Sequence, residues 1–233
     1  MEINNLRTAS GQAILANTVP AAEQLAASQL VTFDRSAPGR RILFVGNSIT
    51  RHAPKPDIGW FHNWGMAASA LEKDYVHLMI RAMREREPGA DFCIAQMANW
   101  ERQYWLGAAI LDQYRAAAAF RPDVIIMRIA ENVPRDRLAE HPFAPCYEEL
   151  LQFLDPEKHA RIILTTSFWP AGGVDEAIRD VARRQGYPLV ELGELGLQDD
   201  MKALGLFEHA GVAAHPGDAG MAAIAAAILR QLD

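Results

Sequence analysis

Arg41-Ile42-Leu43-Phe44-Val45-Gly46-Asn47-Ser48-Ile49-Thr50 is an apolar run that breaks at a glycine and delivers a serine. An uninterrupted apolar run marks a strand covered on both faces. Ser48 therefore stands where a buried strand emerges, the position of an exposed nucleophile. Working outward, apolar runs recur at 91–96, 122–129, 160–168 and 188–192, giving five strands with 41–46. Helix-like segments at 66–86, 101–119, 145–154, 174–185 and 218–232 alternate with them. That alternation predicts an α/β fold: a parallel sheet between two helical layers, wound right-handed at each crossover. In the last segment Met221, Ile224, Ile228 and Leu232 share one helix face, and Asp218 is the expected N-cap.

The 233 residues suit one well-buried domain, expected to span 1–233. Half the residues are hydrophobic and 22% are charged, the balance of an ordinary globular protein. A net charge of −6, with scattered Lys and Arg, excludes nucleic acid as an expected partner. No basic and apolar leader opens the sequence and no window has the length of a membrane span, so the expected location is cytoplasmic and no membrane partner is expected. Cys93 and Cys146 read as buried thiols. Residues 1–35 read as an N-terminal helical extension, with helical character at 13–15 and 21–30; it would cover a sheet edge or mediate a homo-oligomer.

A serine hydroxyl is a weak nucleophile without a base. His215-Pro216-Gly217-Asp218 offers an imidazole just before the last helix, and Ala130-Glu131-Asn132 follows the run Val124-Ile125-Ile126-Met127. In an open parallel sheet, ligands bind at the carboxyl ends of strands where strand order reverses. Ser48, Asn99, Asn132 and His215 all fall at such ends.

Gly46-Asn47-Ser48 resembles the Gly-Asp-Ser block of the SGNH (GDSL-like) hydrolases. Ala130-Glu131-Asn132 resembles their Gly-x-Asn block, and the segment ending in His215-Pro216 is similar to their Asp-x-x-His-Pro block. The resemblance implies a flavodoxin-like strand order of 2-1-3-4-5. It implies Ser48 as nucleophile, His215 as base, and Asn132 as an oxyanion donor beside the Ser48 main-chain N–H. A further main-chain donor in the block after the second strand is Ala98 or Asn99. The sequence departs from the pattern at Asn47, at Ala130, and at Val212, where the family has its triad aspartate. Val212 can neither orient an imidazole nor stabilise an imidazolium with its side chain. The expectation is a Ser–His dyad in which a main-chain carbonyl of 211–214 accepts from His215 Nδ1, with Glu208 as the rival.

For substrate contacts, Trp60, Trp64, Trp100, Trp105 and Trp169 all follow strands on the ligand side. Flat rings with a polar edge suit sugars, and Trp60, Asn99, Trp100 and Trp169 are the candidates. Arg128 and Glu131 pair with each other, or with Glu101 and Arg102, or meet a polar substrate. The Pro-rich stretch 51–64 reads as a wall of the site. His52 and His62 lack ligand partners at metal-binding spacing, so neither metal nor other cofactor is expected. The leading reading is a serine esterase acting on a small or carbohydrate-linked ester, with O-acetyl as a candidate. The alternatives are a thioesterase or lysophospholipase, and a silent binding module on the same scaffold.

Overall fold

The protein is described by a computed structural model covering residues 5–7, 13–15, 30–35 and 39–232. Its strands are β1 (Asn5–Arg7), β2 (Ala13–Leu15), β3 (Val31–Asp34), β4 (Arg41–Gly46), β5 (Asp91–Gln96), β6 (Val124–Arg128), β7 (Arg161–Thr165) and β8 (Leu189–Val190). The main sheet has the order β3-β5-β4-β6-β7-β8. From β5 to β8 every pairing is parallel, which gives the expected 2-1-3-4-5 order. β3 adds a sixth strand antiparallel to β5, with Val31 opposite Ala95.

That edge strand corrects the reading of residues 1–35 as a helical extension. Ala13–Leu15 is also a strand, paired antiparallel with Asn5–Arg7. The helix expected over 21–30 falls, apart from Leu30, outside the described residues.

Successive side chains of a strand point to opposite faces, and β4 divides its residues accordingly. Leu43 and Val45 pack with Trp100, Tyr114, Tyr147, Leu150 and Ile178 on one side. Ile42 and Phe44 pack with Tyr75, Met79, Met221, Ile224 and Ile228 on the other. The first side is covered by the helices Phe143–Leu154 and Gly173–Gln185 and by broken helical turns over 98–119. The second is covered by the helices Tyr75–Arg86 and Asp218–Leu229. Met221, Ile224 and Ile228 of the last helix are fully buried.

The N-cap of that last helix is Gly217, not Asp218. Asp218 instead accepts from the Ser69 N–H and hydroxyl at 2.8 and 2.7 Å and from Lys73 Nζ at 2.8 Å. It ties the helix to the loop beyond the Pro-rich stretch.

Candidate active site

The chain leaves β4 through a tight turn. The Asn47 carbonyl accepts from the N–H groups of Thr50 and Arg51, both at 2.9 Å, and Asn47 Oδ1 accepts from Ile49 N–H at 3.3 Å. A Cβ at Gly46 would lie 1.6 Å from Thr50 Oγ1, so the turn closes only over a glycine. Met97 N–H donates to the Gly46 carbonyl at 2.6 Å, locking the exit of β5 against the exit of β4.

Ser48 Oγ lies 2.8 Å from His215 Nε2. On the other side of the ring, Nδ1 is 2.6 Å from the Gly211 carbonyl. A carbonyl can only accept, so Nδ1 carries the proton and Nε2 is left to accept from the serine. The short helix Ala210–Ala213 makes this possible. Its last carbonyls have no intrahelical partner, and Gly211 sits four residues before His215, one helical turn. The His215 main chain closes the same turn, its N–H donating to Val212 O at 3.0 Å. Val212 is buried in a cluster with Ile58, Trp60 and Met66, and its main-chain carbonyl accepts from His215 N–H. Glu208 is exposed.

Burial pushes His215 down to about 3, partly offset by the Gly211 hydrogen bond, so the ring is neutral at neutral pH. The Trp169 ring meets it edge-on, centroids 5.0 Å apart at 85°, and Trp169 Nε1 donates to Ala214 O at 3.2 Å. The Ala203 N–H donates to His215 O at 2.9 Å.

Beside the Ser48–His215 pair lies a buried polar network. Arg128 pairs with Glu131 at 2.7 Å and also donates to Asn47 Oδ1. Asn47 Nδ2 donates to Glu131 Oε2 at 2.6 Å and to Glu101 Oε1 at 3.0 Å. Glu101 Oε1 also accepts from Ala130 N–H at 2.7 Å, and its Oε2 accepts from Asn132 Nδ2 at 2.7 Å. Arg102 holds the other end of the Asn132 amide, donating to Oδ1 at 3.2 Å. Burial, then the Glu131 charge, pushes Glu101 up to about 7. Glu131 moves the other way: burial opposes its charge, but the Arg128 guanidinium outweighs that and holds it below the usual carboxylate range. One carboxylate thus stays ionised and its neighbour titrates near neutrality.

Among solved structures, the fold is similar to a variant of Axe2, an acetyl-xylooligosaccharide esterase from Geobacillus Stearmophilus, at 21% identity and a TM-score of 0.52, covering 85% of this chain and 96% of that one. It is similar to the acetyl xylan esterase AlAXEase at 17% identity and a TM-score of 0.55, covering 83% and 100%. A lipase/acylhydrolase from Enterococcus faecalis matches at 16% identity and a TM-score of 0.55, covering 83% and 95%. The chain has the SGNH hydrolase fold. No protein-family model and no curated protein matches the sequence.

Within that SGNH scaffold the expected site residues, Ala98 and Asn99 apart, divide into three groups. Ser48, His215 and Trp169 are together. Arg128, Glu131 and Asn132 meet in the network, and Arg128 pairs with Glu131 as one of the readings had it. Trp60 and Trp100 do not line the site. Trp60 is fully buried under the 51–64 loop against Phe207 and Trp64, its Nε1 donating to His52 O at 3.3 Å. Trp100 is a core residue among Tyr104, Phe143 and Tyr147. The 51–64 loop and the helix Ala98–Gln103 both turn their indoles inward, because an exposed indole forgoes the large stabilisation of burying its rings. Trp105, likewise, stacks on His141 at 5.0 Å.

Ala98 N–H donates to Gln96 Oε1 at 3.1 Å. The Asn99 N–H, in the first turn of the helix Ala98–Gln103, has no acceptor among the described residues. The Asn99 side chain donates to Gln113 Oε1 at 3.2 Å. Of the two candidate donors in this block, Asn99 is the one whose main-chain N–H is open.

Two residues near the site were not given these roles from the sequence. Glu101 was seen only as a partner for arginine, and a helix-start glutamate carries no mark of what it will bind. His52 is fully buried; its Nδ1 donates to Ala53 O at 2.6 Å and its Nε2 has no hydrogen-bond partner among the described residues. Among the described residues no group of three or more His, Cys, Asp or Glu is placed to hold a metal ion, and no helix is long and apolar enough to cross a membrane.

Proposed function

We propose that the protein is a serine esterase that hydrolyses small carboxylic esters, with carbohydrate-linked acetyl groups as the leading substrate class. The observation that carries this reading is the Ser48 Oγ to His215 Nε2 distance of 2.8 Å, with Nδ1 held by Gly211 O.

Ser48 Oγ attacks the ester carbonyl carbon as His215 Nε2 takes its proton, then the imidazolium returns that proton to the departing alcohol. Water, deprotonated by the same nitrogen, attacks the acyl-serine, and the proton goes back to Ser48 as the acid leaves. The negative charge on the carbonyl oxygen is met by the main-chain N–H of Ser48 and of Asn99 and by Asn132. An amide nitrogen carries two hydrogens, and Asn132 gives one to Glu101, which leaves the second for the oxyanion. Loss of one such donor costs about 100- to 1000-fold in kcat.

Two observations favour a short acyl group on a sugar. Ser48 is 3% and His215 1% exposed, which suits a small acyl group and not a long chain. Two of the similar folds belong to esterases described as acting on acetylated xylo-oligosaccharides or acetyl xylan.

The test is hydrolysis of p-nitrophenyl acetate, butyrate and octanoate, and of acetylated xylo-oligosaccharides, with a fluorophosphonate label. We expect acetate to be turned over fastest, Ser48 to be labelled, and Ser48→Ala and His215→Ala to lose activity by at least about 1000-fold. Preference for octanoate would shift the reading to a lipase or thioesterase. An unlabelled Ser48 with no turnover would leave a binding module.

A further inference from the structure

We propose that Glu101 is a positioning residue for the esterase reaction, its carboxylate holding the Asn132 amide so that one N–H remains directed to the reacting oxygen. This rests on the serine esterase reading and extends it to a residue outside the family's motifs.

The geometry is specific. Three N–H donors converge on one buried carboxylate: Asn47 Nδ2 at 3.0 Å and Ala130 N at 2.7 Å on Oε1, and Asn132 Nδ2 at 2.7 Å on Oε2. These donors belong to the turn after β4 and to the segment after β6, so Glu101 clamps the nucleophile turn to the oxyanion amide. Arg102 on Asn132 Oδ1 fixes which end of the amide is nitrogen. Among the described residues the Asn132 side chain has no third hydrogen bond to prevent its rotation once Oε2 ceased to accept.

Oε2 receives one donor and Oε1 two, so an added proton goes most readily to Oε2. There it would face the Asn132 N–H, donor against donor, and displace the amide. The ionised form is therefore the working form. The charged and titratable groups around it are Glu131 and Arg128 from the β6 end, Arg102 on its own helix and Tyr114 at the end of the 3-10 turn Asp112–Tyr114. Arg128 pairs with Glu131, yet burial and then the Glu131 charge outweigh the three hydrogen bonds to Glu101 and raise its titration to about 7. The base His215, at about 3, titrates far below this.

The experiment measures kcat, KM and melting temperature for wild type, Glu101→Gln, Asn132→Ala and the double variant on p-nitrophenyl acetate between pH 5 and 9, with Ser48→Ala as blank. In Glu101→Gln the amide nitrogen of Gln faces the Asn132 nitrogen. We expect kcat to fall about 100-fold with KM within about threefold. Adding Glu101→Gln to Asn132→Ala should cost less than about twofold more, because both act through one donor. In wild type kcat/KM should rise with pH through about 7, and this limb should be missing from Asn132→Ala, a readout that survives even if Glu101→Gln fails to fold. Wild-type kcat in a folded Glu101→Gln, additive losses, or a rate flat down to pH 5 would overturn the role of Glu101 alone. A wild type whose turnover does not exceed the Ser48→Ala blank would overturn the esterase reading and this inference with it.

Discussion

A carbonyl oxygen carries only a partial charge, and beside His215 it stands, as the sequence predicts for 211–214, where the SGNH pattern has an aspartate. The Gly211 carbonyl fixes the tautomer and orientation of His215, the two tasks that would position a base. In the proposed reaction it would do less to stabilise the imidazolium, which would form only transiently. Because Nδ1 is already satisfied and Glu208 is exposed, a displaced triad has no vacancy to fill. Glu208→Ala should keep kcat/KM within about twofold of wild type; a drop of 100-fold or more would mean that the carboxylate reaches the ring during turnover. At the same scale, the five tryptophans show how far a residue type speaks for itself. All five follow strands, but Trp169 is the one whose ring packs on His215, while Trp60, Trp64, Trp100 and Trp105 pack on other rings, because an indole is as useful for sealing the interior as for stacking on a sugar.

The decisive element is the strand-turn unit from β4 into the turn that carries Ser48. Gly46 is the last residue of β4, and a Cβ there would overlap Thr50 Oγ1 at 1.6 Å and Thr50 Cβ at 2.6 Å. Thr50 cannot simply rotate away, since its hydroxyl is bonded to Tyr75 OH at 2.7 Å. Gly46→Ala should therefore reopen the turn, costing about 1–3 kcal/mol of stability and, by moving Ser48 off His215, about 100-fold in kcat. Equal activity with an unchanged melting temperature would show that the turn tolerates the methyl group. The short helix Ala210–Ala213 is the complementary element: it is too brief to be stable alone, and it is held by burial of Val212 and by the bond from Val212 N–H to His209 Nδ1 at 3.3 Å.

For the whole molecule, burial of ionisable groups links folding to pH. His215 and His52 are both neutral in the fold, pushed by burial to about 3 and about 4 from 6.5, so below pH 6.5 the unfolded chain takes up protons that the folded one refuses. Each such imidazole removes about 1.4 kcal/mol of stability per pH unit in that window. Glu101 acts oppositely: raised from 4.5 to about 7, it binds its proton more tightly when folded and gains stability as pH falls between those values. Two imidazoles outweigh one carboxyl, so the melting temperature should fall from pH 6.5 to 4.5, and fall more steeply in Glu101→Gln. A flat or rising curve would contradict the buried neutral state of the two rings. The sequence by itself determined the parallel β-α order, the five strands, and the serine and histidine at strand ends, because apolar periodicity and chain punctuation are local properties. It missed Val31–Asp34, whose four residues are half-buried or exposed at a sheet edge and leave no apolar run to read. Only the tertiary structure decided which partner satisfies each buried polar group. The carboxylate of Glu101 meets Asn47 from 54 residues away and Asn132 from 31, and the His215 ring meets a carbonyl instead of an acid, because such pairings follow from what packing brings within hydrogen-bond reach and from the cost of leaving a buried donor unpaired.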